Sequence, residues 1–392
     1  MSIYMPSYTQ LSDEQKAILE ESDYDENVLV VGPPGTGKTV IAMHRAEGLA
    51  RARQQKIDLI MYNQVLEHYT SQWESKVFKD RVDVRTYHKW VSSLWYRHRC
   101  GGYAPQTEPY TYDWPAIQAE FLRRRVSLGR LVIDEAQDLP VSFYQALGLL
   151  VVNCDKGSSF CIVADENQRL QEHHNSSIND IRNAVILAGA PQEYLLRRNY
   201  RNTYEIAVLA QRFYVGLESG NAELPESRRG QKPRMVGYSK GLNGMCDAIK
   251  RHASNNPTHS ILVVCPTPRL VKKMRNKIEA RLSGRTVKAY LSNDDTHVAK
   301  DLETGRDGSV TVLHWRSMKG VEADAVFVPQ LEAFDLGGDS TEGEKMRLYV
   351  LMSRARQILE LQYDHTGASN GQTRLIATIR ELAGDVLEEH TI

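Results

Sequence analysis

The chain has 392 residues, of which 41% are hydrophobic and 25% charged, as is typical of a globular protein with two or three domains. Lys plus Arg and Asp plus Glu each number 49, so the net charge is zero. This balance excludes a protein that coats nucleic acid through bulk charge, but not a local basic track. No apolar run approaches the ~20 residues of a membrane span, and the first residues do not resemble a secretory leader. The five cysteines form no Cys-x-x-Cys pair, so we expect a cytoplasmic protein without a zinc site or a membrane partner.

The first predicted element is a helix over residues 11–19, which Ser12 or Asp13 caps at its N-terminus. Gln15 lies in this helix. A glutamine amide can pair with both the acceptor and the donor edge of adenine, which makes Gln15 a candidate nucleotide-binding residue. A surface glutamine taken alone has no such meaning, so its role depends on the motifs that follow.

Residues 28–42 predict a phosphate-binding site. Val28 to Val31 is a β-branched run typical of a buried parallel strand, and a helix is predicted from Val40 onward. The loop between them fits G-x-x-x-x-G-K-[S/T], in which glycines let the backbone N–H groups turn towards phosphates at the helix N-terminus. Lys38 would reach the β- and γ-phosphates of ATP, and Thr39 would offer its hydroxyl to Mg²⁺. The loop comprises Gly32, Pro33, Pro34, Gly35, Thr36, Gly37, Lys38 and Thr39.

Two further strands are predicted over residues 57–62 and 82–85. The first leads into Asn63, and the second leads into Thr86, Tyr87 and His88. Polar and aromatic groups at the ends of parallel strands lie where ligands bind in open α/β sheets. A single histidine is more often structural, so His88 needs support from other motifs. Two short helices with a loop at 101–111 between them are predicted over residues 91–128.

An apolar strand then ends in Asp134 and Glu135, about 95 residues after the phosphate loop. This spacing is typical of the second half of an ATPase site. Asp134 would hold Mg²⁺ through water, and Glu135 would orient and deprotonate the attacking water. The next strand, over residues 160–164, ends in a polar run from Asp165 to Gln168.

Residues 194–201 place an aromatic side chain next to an arginine. Tyr200 could stack on a base, and Arg201 could stabilise a transferring phosphoryl group. A core tyrosine and a surface arginine remain the alternative for this stretch.

The second half repeats the alternation of strands and helices. Strands are predicted over 261–264, 310–313, 325–328 and 358–361, and helices over 272–282 and 342–356. This order indicates an α/β protein with two doubly wound parallel-sheet domains, which we divide into residues 1–190 and 191–392.

The motif set resembles the superfamily 1A helicases and translocases of the UvrD, Rep and PcrA type. Gln15 resembles the adenine-reading Q motif, Gly32–Thr39 motif I, Tyr62 and Asn63 motif Ia, and Thr86–Tyr87–His88 motif Ic. Asp134–Asp138 resembles motif II, Asp165–Gln168 motif III, Asn199–Arg201 motif IV, Ser317–Glu322 motif V, and Tyr349 with Ser353–Arg354 motif VI.

The resemblance implies two RecA-like cores with ATP between them and single-stranded DNA across both, moved in the 3′→5′ direction. Gln168 would then sense the γ-phosphate, and Tyr200 would stack on adenine. Arg201 and Arg354 would be arginine fingers. Glu322, in the motif with Gly320, would contact the ribose. Tyr62, Asn63, Thr86, Tyr87 and His88 would contact the nucleic acid.

Two departures from the family pattern stand out. Its base-stacking residues after motif III are replaced by Gln171–His174, so His173 or Trp315 would have to compensate, and Arg316 could contact a phosphate. The chain is also short. About 40 residues separate His88 from the motif II strand, and about 110 separate Arg201 from motif V. A 1B-like insertion near residues 91–128 is therefore small, and the 2B insertion is missing.

Two functions stay open. The first is an ATP-dependent DNA translocase or helicase that needs ATP and Mg²⁺, with RNA as an alternative strand. The second is an ATP-dependent, DNA-sensing switch subunit that regulates a partner such as a nuclease and unwinds little by itself.

Overall fold

The computed structural model describes residues 6–61, 75–154, 157–168, 175–291, 308–336, 341–367 and 373–392. These residues form two compact units. The first contains the described residues up to Arg197 together with Leu217–Ala222, and the second contains Arg198–Gly216 and Glu223–Ile392. The predicted boundary at residue 190 falls just before a strand, Gln192–Leu195, that pairs within the sheet of the first unit.

The described sheet of the first unit has six strands, all parallel, in the order β3-β2-β6-β7-β1-β8. Its strands are β1 (Val28–Val31), β2 (Ile57–Met61), β3 (Val82–Thr86), β6 (Arg130–Ile133), β7 (Ser159–Ala164) and β8 (Gln192–Leu195). β1, β2 and β7 are buried along their whole length because helices cover both faces of the sheet. This arrangement confirms the predicted parallel sheet.

Helices on the two faces of this sheet enclose two apolar clusters. The helices are α1 (Asp13–Glu21), α2 (Lys38–Arg53), α3 (Lys76–Arg81), α4 (Tyr87–Arg97), α5 (Trp114–Arg124), α6 (Val141–Cys154) and α7 (Ile178–Val185). The Ser12 side chain caps α1 by accepting a hydrogen bond from the backbone N–H of Gln15. The α2 helix begins immediately after Gly37, whose φ of 86° lies in the left-handed region that favours glycine.

The insertion between β3 and β6 differs in part from its prediction. The two predicted helices are present as α4 and α5, but the predicted loop at 101–111 contains a two-stranded hairpin, β4 (Gln106–Glu108) and β5 (Thr111–Tyr112). The hairpin is anchored by Tyr112, which is buried among aromatic side chains. Strands of three and two residues are too short for their alternation to show in the sequence.

The described sheet of the second unit has seven parallel strands in the order β11-β12-β10-β13-β14-β9-β15. They are β9 (Arg234–Tyr238), β10 (Ile261–Cys265), β11 (Val287–Tyr290), β12 (Val310–His314), β13 (Ala323–Val328), β14 (Ala355–Asp364) and β15 (Glu388–Thr391). The helices around them are α8 (Tyr204–Gln211), α9 (Gly241–Asn255), α10 (Pro268–Glu279), α11 (Thr341–Met352) and α12 (Arg374–Ala383). The predicted fold class, two doubly wound parallel-sheet domains, is confirmed.

One boundary in this unit was wrong. The helix predicted over 342–356 ends at Met352, so Arg354 precedes strand β14 and Arg356 lies within it. Apolar residues continue through the junction, and helical and strand periodicity cannot be separated in such a short run. No helix among the described residues is long and apolar enough to cross a membrane.

Candidate functional site

The phosphate loop follows β1 at the carboxyl edge of the first sheet. Its backbone is tied to β7, because the N–H of Gly32 donates to the carbonyl of Ala164 at 3.3 Å. Gly35 and Gly37 have φ values of 84° and 86°, which a side chain would strain. The Thr36 hydroxyl donates to the carbonyl of Pro33 at 2.9 Å and closes the loop. The loop is therefore preformed as a turn before a helix N-terminus, the geometry that binds phosphate.

Lys38 is buried at the base of this loop. Its ammonium donates to the carbonyl of Pro33 at 2.9 Å and to Oδ2 of Asp165 at 3.1 Å. Asp165 is fully buried and follows β7, the neighbour of β1 in the sheet. The lysine charge is thus compensated internally, and an arriving phosphate would compete with a carboxylate for it.

Thr39 and Asp134 meet at the same edge. The Thr39 hydroxyl donates to Oδ2 of Asp134 at 2.7 Å, across 95 residues of sequence. Burial, and next the negative charge of Glu135, raise the pKa of Asp134. Carboxylate and hydroxyl oxygens are ligands that suit Mg²⁺, and a cation bound there would offset the negative charge that burial disfavours. The residues present therefore fit the ion that the sequence predicts there.

Glu135 is held in one position by the turn after β6. Its φ of 54° lies in the left-handed region, which is unfavourable for a residue with a side chain. The amide of Gln137 donates to Oε2 of Glu135 at 2.6 Å, while its oxygen accepts from the backbone N–H of Asp165 at 2.9 Å. Gln137 consequently links the predicted base to the backbone of Asp165, the residue whose carboxylate pairs with Lys38.

Gln15 lies against the phosphate loop. Its amide nitrogen donates to the carbonyl of Thr36 at 3.2 Å, and its oxygen accepts from the backbone N–H of Ser12 at 3.2 Å. A Cβ added to Gly37 would come within 2.3 Å of the Gln15 amide nitrogen.

A second group of predicted residues lies in the second unit. The Asn199 side chain accepts from the backbone N–H groups of Arg201 and Asn202, at 2.9 and 3.1 Å. This Asx turn fixes the segment ahead of α8. Tyr200 is 37% exposed, and its carbonyl accepts from Arg228 at 2.7 Å.

Glu322 lies between two arginines of this unit. It forms an ion pair with Arg201, and it accepts from Arg356 at 3.0 and 2.7 Å. Burial alone would raise the pKa of Glu322, but the charges of Arg201 and then Arg356 outweigh it and hold the pKa well below its usual range. The carboxylate that was predicted to contact the ribose is therefore ionised and engaged by both arginines.

Arg354 is 1% exposed, and its Nε donates to the carbonyl of Val350 at 3.0 Å. Gly320 has a φ of 75° in the turn after β12. The structure therefore places Arg201, Arg354, Gly320 and Glu322 in one unit, and brings Arg201 directly onto Glu322.

The predicted nucleic-acid residues fall into three groups, which are exposed side chains, buried side chains, and residues outside the described part of the chain. His88 is exposed, whereas Tyr87 is buried in an aromatic cluster in which its hydroxyl accepts from the Trp114 indole N–H at 2.5 Å. Thr86 ends β3 and is also buried. Trp315 is 3% exposed, and the Arg316 guanidinium lies 5.0 Å from its ring centre. Tyr62, Asn63 and His173, and the side chain of Gln168, lie outside the described residues.

Sequence reasoning did not assign a role to Gln137, Asp165, Asn202 or Arg356. Gln137 and Asp165 lie inside recognised motifs, so their polarity next to strand ends was the available signal. Asn202 donates to the carbonyls of Ser353 and Ala355 at 3.1 and 2.6 Å, a contact across more than 150 positions that only the fold creates.

Residues 15–173 match the family described as AAA domain, a range that begins at Gln15 and contains the phosphate loop and the Asp134–Glu135 pair. No curated protein sequence matches the chain.

Several solved structures match the chain. Dbp5 of S. cerevisiae, bound to RNA and ADP BeF3, matches 98% of this chain and 90% of its own, with 12% identity and a TM-score of 0.54. The Escherichia coli DEAH/RHA helicase HrpB matches 92% of this chain with 11% identity and a TM-score of 0.45, and the DUF1998 helicase MrfA, bound to DNA and AMPPNP, matches 97% with 9% identity and a TM-score of 0.47. The chain spans 44% of that HrpB chain and 51% of that MrfA chain. The likeness to Dbp5 shows the fold, which is a helicase-like pair of parallel-sheet α/β domains.

Proposed function

We propose that the chain is an ATP-dependent translocase or helicase of the superfamily 1A type, which hydrolyses ATP and moves along single-stranded DNA in the 3′→5′ direction. One observation carries this proposal, which is the joined network of Lys38, Thr39, Asp134, Glu135 and Asp165 at one edge of one sheet. It combines a lysine that would bind phosphate, two oxygen ligands that suit Mg²⁺, and a positioned carboxylate that would act as the base. Phosphoryl transfer to water requires these three parts.

The geometry supports the following proposed roles. The phosphate loop and Lys38 would bind the β- and γ-phosphates, and Glu135 would take a proton from the attacking water while Gln137 keeps its carboxylate in place. Thr39 and Asp134 would hold Mg²⁺, which would neutralise charge on the phosphate oxygens. Arg201 and Arg354 would stabilise the transferring phosphoryl group, which for Arg201 means exchanging Glu322 for a phosphate oxygen.

A second candidate is an ATP-dependent switch that regulates a partner such as a nuclease. The short insertion between His88 and β6 favours it, because the described residues there build only two helices and a small hairpin. Such a protein would close on ATP without needing to separate strands.

The deciding experiment is ATP hydrolysis by the purified chain without nucleic acid, with single-stranded DNA, and with single-stranded RNA of equal length. We expect strong stimulation by DNA, and no hydrolysis above background by the matched Glu135→Gln variant, which should still bind ATP. A low rate that neither nucleic acid changes would overturn the translocase in favour of the switch, and stimulation by RNA alone would make RNA the strand.

Two further measurements test the direction of translocation and the contacts to the DNA backbone. Displacement of streptavidin from the 5′ end of a biotinylated strand, and not from the 3′ end, is expected of a 3′→5′ motor. The logarithm of the binding constant for DNA should fall linearly with the logarithm of the salt concentration, with a slope of about −0.7 per phosphate contact. A flat dependence would contradict a protein that tracks along a backbone.

A further inference from the structure

An exposed aromatic pair lies at the start of the insertion. It consists of His88, at the N-terminus of α4, and Tyr110, in the turn of the β4–β5 hairpin. Their ring centres are 5.9 Å apart and their planes meet at 75°. Tyr110 is 79% exposed, and His88 is also exposed at its outer face. We call these two side chains the aromatic step.

The hairpin fixes the position of the exposed Tyr110 side chain. Tyr112, two residues on, is buried and donates from its hydroxyl to the carbonyl of His88 at 3.3 Å, which fixes the hairpin to α4. The backbone N–H of Tyr110 donates to the side-chain oxygen of Gln106 at 3.3 Å, which holds the turn in place. Tyr110 has a φ of 67°, an unfavourable conformation for a bulky residue. An exposed ring on a fixed and strained turn adds nothing to the core, which points to a ligand.

The step lies at the edge of the sheet where the ATP site lies. His88 follows β3 by two residues, and the phosphate loop follows β1, so both are at the carboxyl ends of parallel strands. Four strand spacings separate β3 from β1 in the sheet order, which corresponds to about 19 Å. A ligand on the step would therefore not collide with a nucleotide in the phosphate loop.

The chemistry of the step suits a flat ring. Burial of the inner face of His88 against Tyr87 and Tyr112 lowers its pKa, so the imidazole is neutral near pH 7 and does not act as a phosphate cation. Tyr110 is 79% exposed beside the His88 ring, so most of the Tyr110 ring is open to solvent. Stacking on such a face is how proteins bind unpaired bases without reading their sequence.

We propose that the aromatic step binds one unpaired base of a single DNA strand by stacking on Tyr110, next to His88. This inference rests on the proposed function and adds a contact from the insertion. It supplies base stacking in a chain whose sequence lacks the stacking residues of the related family after Gln168.

The test is the affinity for a fluorescent single strand of about 16 nucleotides, the upper range of a single-strand site, compared with an abasic strand of the same length. We expect Tyr110→Ala to lose about 5- to 150-fold in affinity for the strand with bases, the effect of one stacked base, and to keep the affinity for the abasic strand. Tyr110→Trp should retain the binding, because it keeps an aromatic face. The matched control is Tyr103→Ala, which removes a tyrosine that is 98% exposed in the same insertion.

The salt dependence separates stacking from charge. The Tyr110→Ala variant should keep the parent's slope, because it loses no phosphate contact. An unchanged affinity, or an equal loss on both strands, would overturn the step. If the parent chain bound no nucleic acid, the proposed function would fail with it. ATP hydrolysis without nucleic acid should be the same in the parent and in Tyr110→Ala, which shows that the variant is folded.

Discussion

The phosphate-loop site of the first unit and the arginine cluster of the second unit hold their charges differently. In the first unit a single cation, Lys38, is buried beside one carboxylate, Asp165, and the exposed fractions of their side chains are 6% and 0%. In the second unit one carboxylate, Glu322, receives two arginines and is 20% exposed. The first arrangement is a closed pair, whereas the second is a more open site with an excess of positive charge.

Under the proposed function, this difference implies that Lys38 and Arg201 would reach a phosphate in different ways. Lys38 is already aimed at the loop in which a phosphate would sit, so binding needs only an exchange of partner. Arg201 is engaged by Glu322, and Arg356 is the neighbour that would keep Glu322 paired after Arg201 leaves. Arg356 thereby lowers the cost of releasing Arg201, since the carboxylate would not be left alone.

The largest expected effect is that of Lys38→Ala. It should abolish ATP turnover, and it should also destabilise the first unit by about 3–5 kcal/mol, because it leaves Asp165 buried without its cation. The measurements are ATP hydrolysis and the free energy of unfolding in urea. The double variant Lys38→Ala, Asp165→Asn should regain stability but not turnover, since the amide oxygen can still accept from the backbone N–H of Asn167, as the carboxylate does at 3.0 Å. A double variant as unstable as the single one would show that the pair is not the closed unit described here.

The next effect distinguishes the two arginines on Glu322. Arg201→Ala should slow hydrolysis on the order of a thousandfold, the effect of an arginine finger, with little change in the affinity for ATP. Arg356→Ala is the matched control, because it removes the other partner of the same carboxylate, and it should slow hydrolysis less than about tenfold. The measurement is kcat for each variant. Equal losses in the two variants would mean that Arg201 acts only through Glu322.

The weakest of the expected effects is a loss of stability of the second unit at acidic pH. His252 in α9 packs against the His259 and Phe327 rings, with centres 5.3 and 5.5 Å away. Burial, and next the charge of His259, lower the pKa of His252 to about 4, below its unfolded value of about 6.5. Arg234 and Arg285 act in the same direction, and Asp324 opposes them.

Because the folded pKa lies below the unfolded one, the unfolded chain takes up the proton first, and stability is lost as the pH falls from about 6.5 to about 4. Asp134 has the opposite sign, since its raised pKa lets the folded first unit take up a proton first. The second unit should therefore unfold earlier than the first on acidification. Thermal unfolding at pH 7.5 and 5 measures this. His252→Gln should flatten the pH dependence, whereas His390→Gln, which changes an exposed histidine of β15, should leave it in place.

Much of the molecule could be predicted from the sequence. The apolar runs at β1, β2 and β7 predicted buried strands because burial on both faces demands a continuous run. The glycine pattern of the phosphate loop predicted its turn, since Gly35 and Gly37 need positive φ. The short hairpin of the insertion and the end of α11 could not be predicted, because a run of a few residues shows neither helical nor strand periodicity. Strand β15 was also missed, because its residues Glu388–Thr391 are polar and exposed and lack the apolar pattern of a buried strand.

The amino-acid sequence specifies which chemical groups this protein carries and in what order, because phosphate loops, Asp-Glu pairs and strand ends are local patterns of residue type. Which of these groups meet depends on how the chain folds. The parallel sheet brings the ends of β1, β6 and β7 together, and so joins Lys38 to Asp165 and Thr39 to Asp134 over more than 90 positions. The same folding brings Arg201 and Arg356 onto Glu322 and sets Tyr110 beside His88, because distances between remote side chains depend on strand order and packing.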